Sequence, residues 1–319
     1  MRSDCPDDGQ TAFRWAACGA SVTGQEHQRR GLGCDDAYSF GIAGDFVVAA
    51  VADGAGSVTG TSAWGAWVAC RGVLADALQP EFLESYRRRE PGHAERLVRW
   101  LFDSALIRVT QQAETMGVHP TLLSTTLCVG LADRSQAVFG QIGDGVIAAE
   151  QDGQVESLLI EQKDEYANTT SFLQSDRAFE ESFRTTVRGG VTAFALSTDG
   201  MSYKITNVAT GEAYEPFFRD SWQHVRTGAS AAQFAALLRG IEDDQTGDDK
   251  TMVLTAVCPL SSELDECSGA LVTEHSAPPE PLDMTVPAPA GSSSVVADSR
   301  EPKRERQDWR RRFLMRRHR

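Results

Sequence analysis

The chain has 319 residues, 24% charged and 41% hydrophobic, with 45 acidic against 31 basic side chains and a formal net charge of −14. This length suffices to bury a core as one large domain or two small ones, and the composition excludes a disulfide-stapled miniprotein, a collagen-like repeat and a fully disordered chain. The charge is unevenly placed: residues 300–319 hold ten Lys/Arg and three Asp/Glu, so this tail carries +7 and the rest of the chain −21.

In chain order, residues 1–12 (MRSDCPDDGQTA) form an N-terminal extension without the basic-then-apolar pattern of a secretion signal. The folded region is expected over 13–258. Short β-like runs recur there at Phe13–Cys18, Ala37–Ile42, Phe46–Ala52, Thr125–Leu131, Ala137–Ile142, Val146–Glu150, Thr192–Ser197 and Thr251–Val257, many bounded by Gly, Asp or Asn. Two helical patterns, Ser62–Ala77 and His93–Met116, lie together between the third and fourth runs, with a break bounded by Pro80 and Pro91; a third covers Ala231–Ile241. Consecutive strands with helices inserted as a pair predict an α+β fold of antiparallel sheets covered by helices, not a doubly wound parallel sheet. Residues 201–228 show no regular period. Beyond Pro259 the chain turns rich in Pro, Ser and Ala, so 259–299 reads as a flexible linker carrying the basic tail 300–319.

Seven cysteines, at 5, 18, 34, 70, 128, 258 and 267, are odd in number and include no C-x-x-C pair. They argue against a disulfide framework or structural zinc and for a reducing compartment. No apolar run approaches the ~18 residues that span a bilayer. The chain is therefore read as cytoplasmic, and the anionic body makes a specific nucleic-acid ligand unexpected.

The chemistry is carried by aspartates at strand ends. FVVAAVADG places Asp53 and Gly54 after the third run, VFGQIGDG places Asp144 after the fifth, and TAFALSTDG places Asp199 after the seventh; the pairs Asp35-Asp36 and Asp248-Asp249 precede two more strands. Any one Asp-Gly is an ordinary turn dipeptide. Five such positions delivered to one rim would make an all-oxygen site suited to Mg²⁺ or Mn²⁺ and poorly suited to zinc. Two ions ~3.5–4 Å apart can clamp a transferring phosphoryl group, so the implied chemistry is metal-assisted phosphate hydrolysis. Ser124, Thr125 and Thr126 read as a strand start, and Trp64, Trp67 and Trp100 as helix packing.

The motif order CDDAY, VADGAGS, helix pair, STTL, GQIGDG, LSTDG, GDDKTMV over about residues 19–257 resembles the metal-dependent protein phosphatases of type 2C (PPM), and looks most like a bacterial subgroup. The resemblance implies a four-layer α-β-β-α sandwich of two antiparallel sheets flanked by helices. It implies a Ser/Thr phosphoprotein phosphatase in which a hydroxide bridging two Mn²⁺ or Mg²⁺ ions attacks phosphorus directly. By position it makes Asp53 the ligand of both metals and Gly54 a carbonyl ligand. Asp199 and Asp248 become ligands of one metal, Asp35 a contact to the second metal's waters, and Asp144 the holder of a weaker third ion. Asp36 supports the catalytic water, and Asp249 stands behind these ligands. Residues 201–228 match a flap beside the site.

The departures are specific. Ala55 stands where eukaryotic members have a candidate general-acid His, so the resemblance leaves the leaving alcohol to be protonated by metal-bound water or another side chain. The family's phosphate-binding Arg falls at Gly31 or Leu32, leaving Arg30, Arg29 and His27 as candidates for phosphate. The implied partners are phosphorylated Ser/Thr proteins, substrates of a partner kinase. The basic tail, with Trp309, Phe313, Leu314 and Met315 among its arginines, suits an acidic protein surface or an anionic membrane. A second reading stays open: a PPM-fold pseudophosphatase that binds phosphoproteins or a kinase without turnover.

Overall fold

The computed structural model describes residues 13–55, 60–160, 170–207, 209–228, 230–241, 246–259 and 271–280. In chain order they form β1 (Phe13–Val22), α1 (Gln25–Arg29), β2 (Ala37–Ala43), β3 (Phe46–Ala52), α2 (Ser62–Ala77), α3 (Pro80–Tyr86), α4 (His93–Met116), β4 (Leu127–Ala132), β5 (Ala137–Ile142), β6 (Val146–Gln151), β7 (Gln154–Leu158), α5 (Ala178–Glu181), β8 (Arg184–Arg188), β9 (Val191–Ser197), α6 (Ser202–Ile205), α7 (Glu215–Arg226), α8 (Ala231–Gly240), β10 (Lys250–Pro259) and β11 (Val272–His275). The extension 1–12 and the basic tail 300–319 lie outside the described residues.

The run FVVAAVA of β3 is apolar at every position because both faces of the strand are covered. Phe46, Val48, Ala50 and Ala52 pack under α2–α4, whereas Val47, Ala49 and Val51 face the space between two sheets. This is the period of two that a strand imposes on its side chains. β3 lies in a six-stranded sheet of order β11-β2-β3-β4-β5-β8, which faces a five-stranded sheet of order β1-β10-β9-β6-β7. The strand pairs are antiparallel. The second sheet is covered on its far side by α6–α8 through Phe218, Trp222, Phe234 and Leu238. Helix, sheet, sheet and helix stack as four layers, as expected.

Three segments differ from the sequence reading. The break between Pro80 and Pro91 contains α3, for which Pro80 supplies the first turn. Residues 201–228 are not aperiodic: within them α7 buries Phe218, Ser221, Trp222 and Val225 as one stripe at helical spacing. Its polar outer face masks that stripe in the sequence, and two of its arginines reach the buried Glu150 of β6, Arg219 at 3.6 Å and Arg226 more closely. The third is β11, which interrupts the stretch 259–299 taken as a linker.

β11 takes all its pairing from the edge of β2, with Val272 opposite Ile42 and His275 opposite Ser39. Tyr38 donates its hydroxyl to Glu274 at 2.8 Å, Ser276 N donates to the Tyr38 carbonyl at 3.0 Å, and Trp67 Nε1 of α2 donates to the Ser276 carbonyl at 3.2 Å. A chain ending at Pro259 is expected to lose about 2–4 kcal/mol of stability, since these bonds contribute ~1 kcal/mol each and an edge strand is left bare. Urea unfolding of the two lengths measures it. Among the described residues, no helix is long and apolar enough to cross a membrane.

Candidate metal centre

The parity that buries β3 on both faces also aims its final acid. Val47, Ala49 and Val51 face the inter-sheet space, so the next residue of that parity is Asp53. On β2, Tyr38 and Phe40 share the inter-sheet face, which assigns Asp36 to it. The register pairs Ala37 with Ala52, so one further step sets Asp36 opposite Asp53. From the facing sheet, Phe194 and Leu196 of β9 point inward, and Thr198 follows them. Its hydroxyl donates to Asp36 Oδ2 at 2.7 Å. Asp199 then opens a 3-10 turn, while Asp248 and Asp249 lead into β10, the neighbour of β9.

The electrostatics show that these acids converge. Burial pushes the Asp53 carboxyl well above the usual carboxylate range, and repulsion from Asp36, Asp199 and Asp248 pushes it further. Asp36 is raised likewise by burial, then by Asp249, Asp248 and Asp199, with the Thr198 hydrogen bond acting in the opposite direction. Asp35 is raised chiefly by burial, but it has the other parity. It turns toward the helix layer and accepts the Ser62 hydroxyl of α2 at 2.9 Å.

The backbone around the acids is tightly fixed. Asp53 N donates to Thr126 Oγ1 at 2.9 Å, and the Asp53 carbonyl accepts from Thr126 N at 2.8 Å and from Thr125 Oγ1 at 2.9 Å. The threonines therefore hold the acid, as a strand start should. A Cβ on Gly54 would stand 2.7 Å from the Asp35 carbonyl oxygen and from the Ser62 backbone carbon, and one on Gly200 would stand 1.9 Å from the Asp249 carbonyl oxygen. Only glycine permits either approach.

Asp249 is the hub that sequence reasoning placed behind the ligands. Its carboxylate, 2% exposed, accepts from Gly24 N at 2.7 Å and Asp35 N at 2.6 Å, and pairs with His27 Nδ1 at 2.9 Å. Thr198 was missed altogether; its place immediately before Asp199 in STDG was the available signal.

The remaining candidates divide. His27 is committed to Asp249. Arg29 is exposed and turns back along α1 to Gln25 at 3.4 Å and Glu26 at 3.5 Å, whereas the charge of Arg30 is felt at Asp35. Asp144 accepts the Thr170 hydroxyl at 2.8 Å. Its loop is braced by Gln141 Nε2, which donates to the Gly143 carbonyl at 3.2 Å and the Gly145 carbonyl at 2.6 Å.

Among the described residues, no three His, Cys, Asp or Glu side chains are gathered closely enough to hold a metal ion. The donor set is nevertheless the kind a hard cation takes. It is all oxygen, buried at Asp36 and half-buried at Asp53, Asp199 and Asp248, and burdened with repulsion that a divalent charge would remove.

The protein phosphatase 2C family profile matches residues 23–239. No curated relative matches the chain. Among solved structures, a bacterial serine phosphatase is 17% identical, with 75% of this chain and 96% of that one covered and a TM-score of 0.51. PppA, described as a key regulatory component of the T6SS in Pseudomonas aeruginosa, is 17% identical, with 76% and 98% covered and a TM-score of 0.50. The catalytic domain of the serine threonine protein phosphatase PstP, in complex with two manganese ions, is 19% identical, with 77% and 100% covered and a TM-score of 0.46. At these identities the first two speak for the fold; with the profile match over most of the folded region, the chain belongs to the protein phosphatase 2C family.

Proposed function

We propose that the chain is a divalent-cation-dependent phosphatase of phosphorylated Ser/Thr proteins, the substrates of a partner kinase, working in the reducing cytoplasm. The observation that carries this reading is the convergence of Asp36, Asp53, Asp199 and Asp248, from both sheets, at one rim. Asp53, the Gly54 carbonyl, Asp199, Asp248 and Asp35 are assigned to hold two divalent cations, Mn²⁺ or Mg²⁺, and Asp144 to hold a weaker third. Bound cations would supply neutralisation of phosphoryl charge and activation of water at neutral pH. The protein's own part is orientation. Thr198 fixes Asp36 to accept a hydrogen bond from the attacking water, and Arg30 lies on the Asp35 side, where a guanidinium fork can take two phosphoryl oxygens.

Purified protein with Mn²⁺ is expected to hydrolyse p-nitrophenyl phosphate and phosphothreonine peptides and to lose this activity in EDTA. Steady-state kinetics separate the two arginines. Arg30→Ala should raise KM for a phosphopeptide about tenfold, the effect of losing ~1.4 kcal/mol of charge-assisted contact. Arg29→Ala should change it less than about twofold, as for an exposed pair. A pseudophosphatase that binds phosphoproteins without turnover is the second reading, favoured by the exposed position of Arg30 and by the open donor set among the described residues.

A further inference from the structure

A phosphoserine ester leaves as a poorly stabilised alkoxide, so its departure calls for a proton, and the four converging carboxylates are needed as anions. Among the described residues, His27 is the imidazole tied to this cluster, through Asp249. Its Nδ1 lies 2.9 Å from Asp249 Oδ2, and the same carboxylate receives the backbone N–H of Asp35 at 2.6 Å and of Gly24 at 2.7 Å. Asp249 is thus anchored from three directions, and it fixes the ring by one nitrogen. The other edge, with Nε2, has no protein partner among the described residues, and the side chain retains 11% exposure in an otherwise buried setting. A carboxylate behind Nδ1 keeps a proton on that nitrogen, so Nε2 is the one that can take up and release a second. By contrast, His93 is spent on Ser85 at 2.9 Å in the helix layer, and His275 on the Ser276 carbonyl at 2.8 Å.

We propose that His27, held by Asp249, is the proton donor to the leaving oxygen of the phosphoester. This rests on the phosphatase reading above. As water attacks phosphorus and the P–O bond to the substrate breaks, the Nε2 proton passes to the departing oxygen, so that serine or threonine leaves as a neutral alcohol. The ring remains neutral with Nδ1–H on Asp249. The proton lost by the attacking water returns to Nε2 through solvent, which leaves the alcohol and hydrogen phosphate as products. His27 would thereby supply the proton that Ala55 cannot.

The same pair could merely clamp α1 to the turn before β10, and the leaving group tells the two roles apart. A proton donor matters for an alkyl ester and little for an aryl ester whose phenolate is already a good leaving group. His27→Asn is expected to lower kcat for a phosphoserine peptide by about 100-fold, the lower end of general-acid contributions, and kcat for p-nitrophenyl phosphate less than about threefold. Equal losses on both substrates would overturn the proposal and leave the phosphatase reading standing; a wild-type protein inert on both would instead overturn that reading. If His27→Asn does not fold, a series of aryl phosphates on the wild type decides. Protonation predicts that kcat depends weakly on leaving-group pKa, and a steep dependence contradicts it.

Discussion

Asp53→Asn is expected to lower phosphoester turnover by on the order of 10³ or more and, in the same protein, to raise the stability of the cation-free form at neutral pH. The two effects have one origin. Asp36 is buried and Asp53 half-buried beside it, both close to Asp199 and Asp248, and both carboxyls are raised well above the range of an unfolded carboxylate. A group raised in this way adds stability below its unfolded pKa of about 3.9, and that contribution disappears as pH rises through the folded value. At neutral pH the cation-free protein therefore carries a penalty that the amide removes at one stroke, an increase of about 1–2 kcal/mol, near the upper end for a single stabilising substitution. Mn²⁺ should reverse the order. It stabilises the wild type by mass action, about 2.7 kcal/mol at a hundred times its Kd, and stabilises the variant less. Thermal unfolding with EDTA and with Mn²⁺ checks both halves; an Asp53→Asn variant less stable than wild type in EDTA would contradict the crowding argument.

Gly200→Ala is expected to be the most damaging single methyl that can be added to the molecule near the site. The new Cβ would fall 1.9 Å from the Asp249 carbonyl oxygen, a backbone atom that cannot swing aside. Relief requires β9 and β10 to part where they carry Asp199 and Asp248. A loss of about 3–5 kcal/mol follows, at the extreme of single substitutions. Any folded fraction should bind Mn²⁺ more weakly than wild type by calorimetry. By comparison, Gly33, Gly153 and Gly240 have open space where a Cβ would stand. Of these, Gly33 and Gly240 also lack a positive φ, so alanine there should cost less than about 1 kcal/mol.

The strand-end acids were legible because burial on both faces makes β3 and β9 largely apolar runs, and the abrupt change to Asp marks where each strand leaves the core. The helix pair α2 and α4 was legible for a similar reason, its apolar spacing being long and uninterrupted. What sequence reasoning missed depends on distant partners. β11 has only four residues and owes its existence to the free edge of β2, where Thr273 pairs with Gly41 from the far end of the folded region, so no local pattern announces it. α7 was obscured by charged and aromatic residues whose sorting into inner and outer faces appears only once it packs on the second sheet. Arg29 and Arg30 are adjacent in sequence and differ only in the direction they take at the end of α1. Asp249 was visible as an acid, but its partners Gly24, His27 and Asp35 all come from the connection between β1 and β2, far away in sequence, and meet it only in the folded sandwich.

The central claim is that the crowded carboxylates at the inter-sheet rim form a cation-dependent phosphatase centre. Release of inorganic phosphate from a phosphothreonine peptide, followed with Mn²⁺, after EDTA and after Mn²⁺ is restored, tests it most directly. Turnover with Mn²⁺, its loss in EDTA and its return with the cation are expected. Phosphate release that is absent throughout, from folded protein that still binds the peptide, would contradict it.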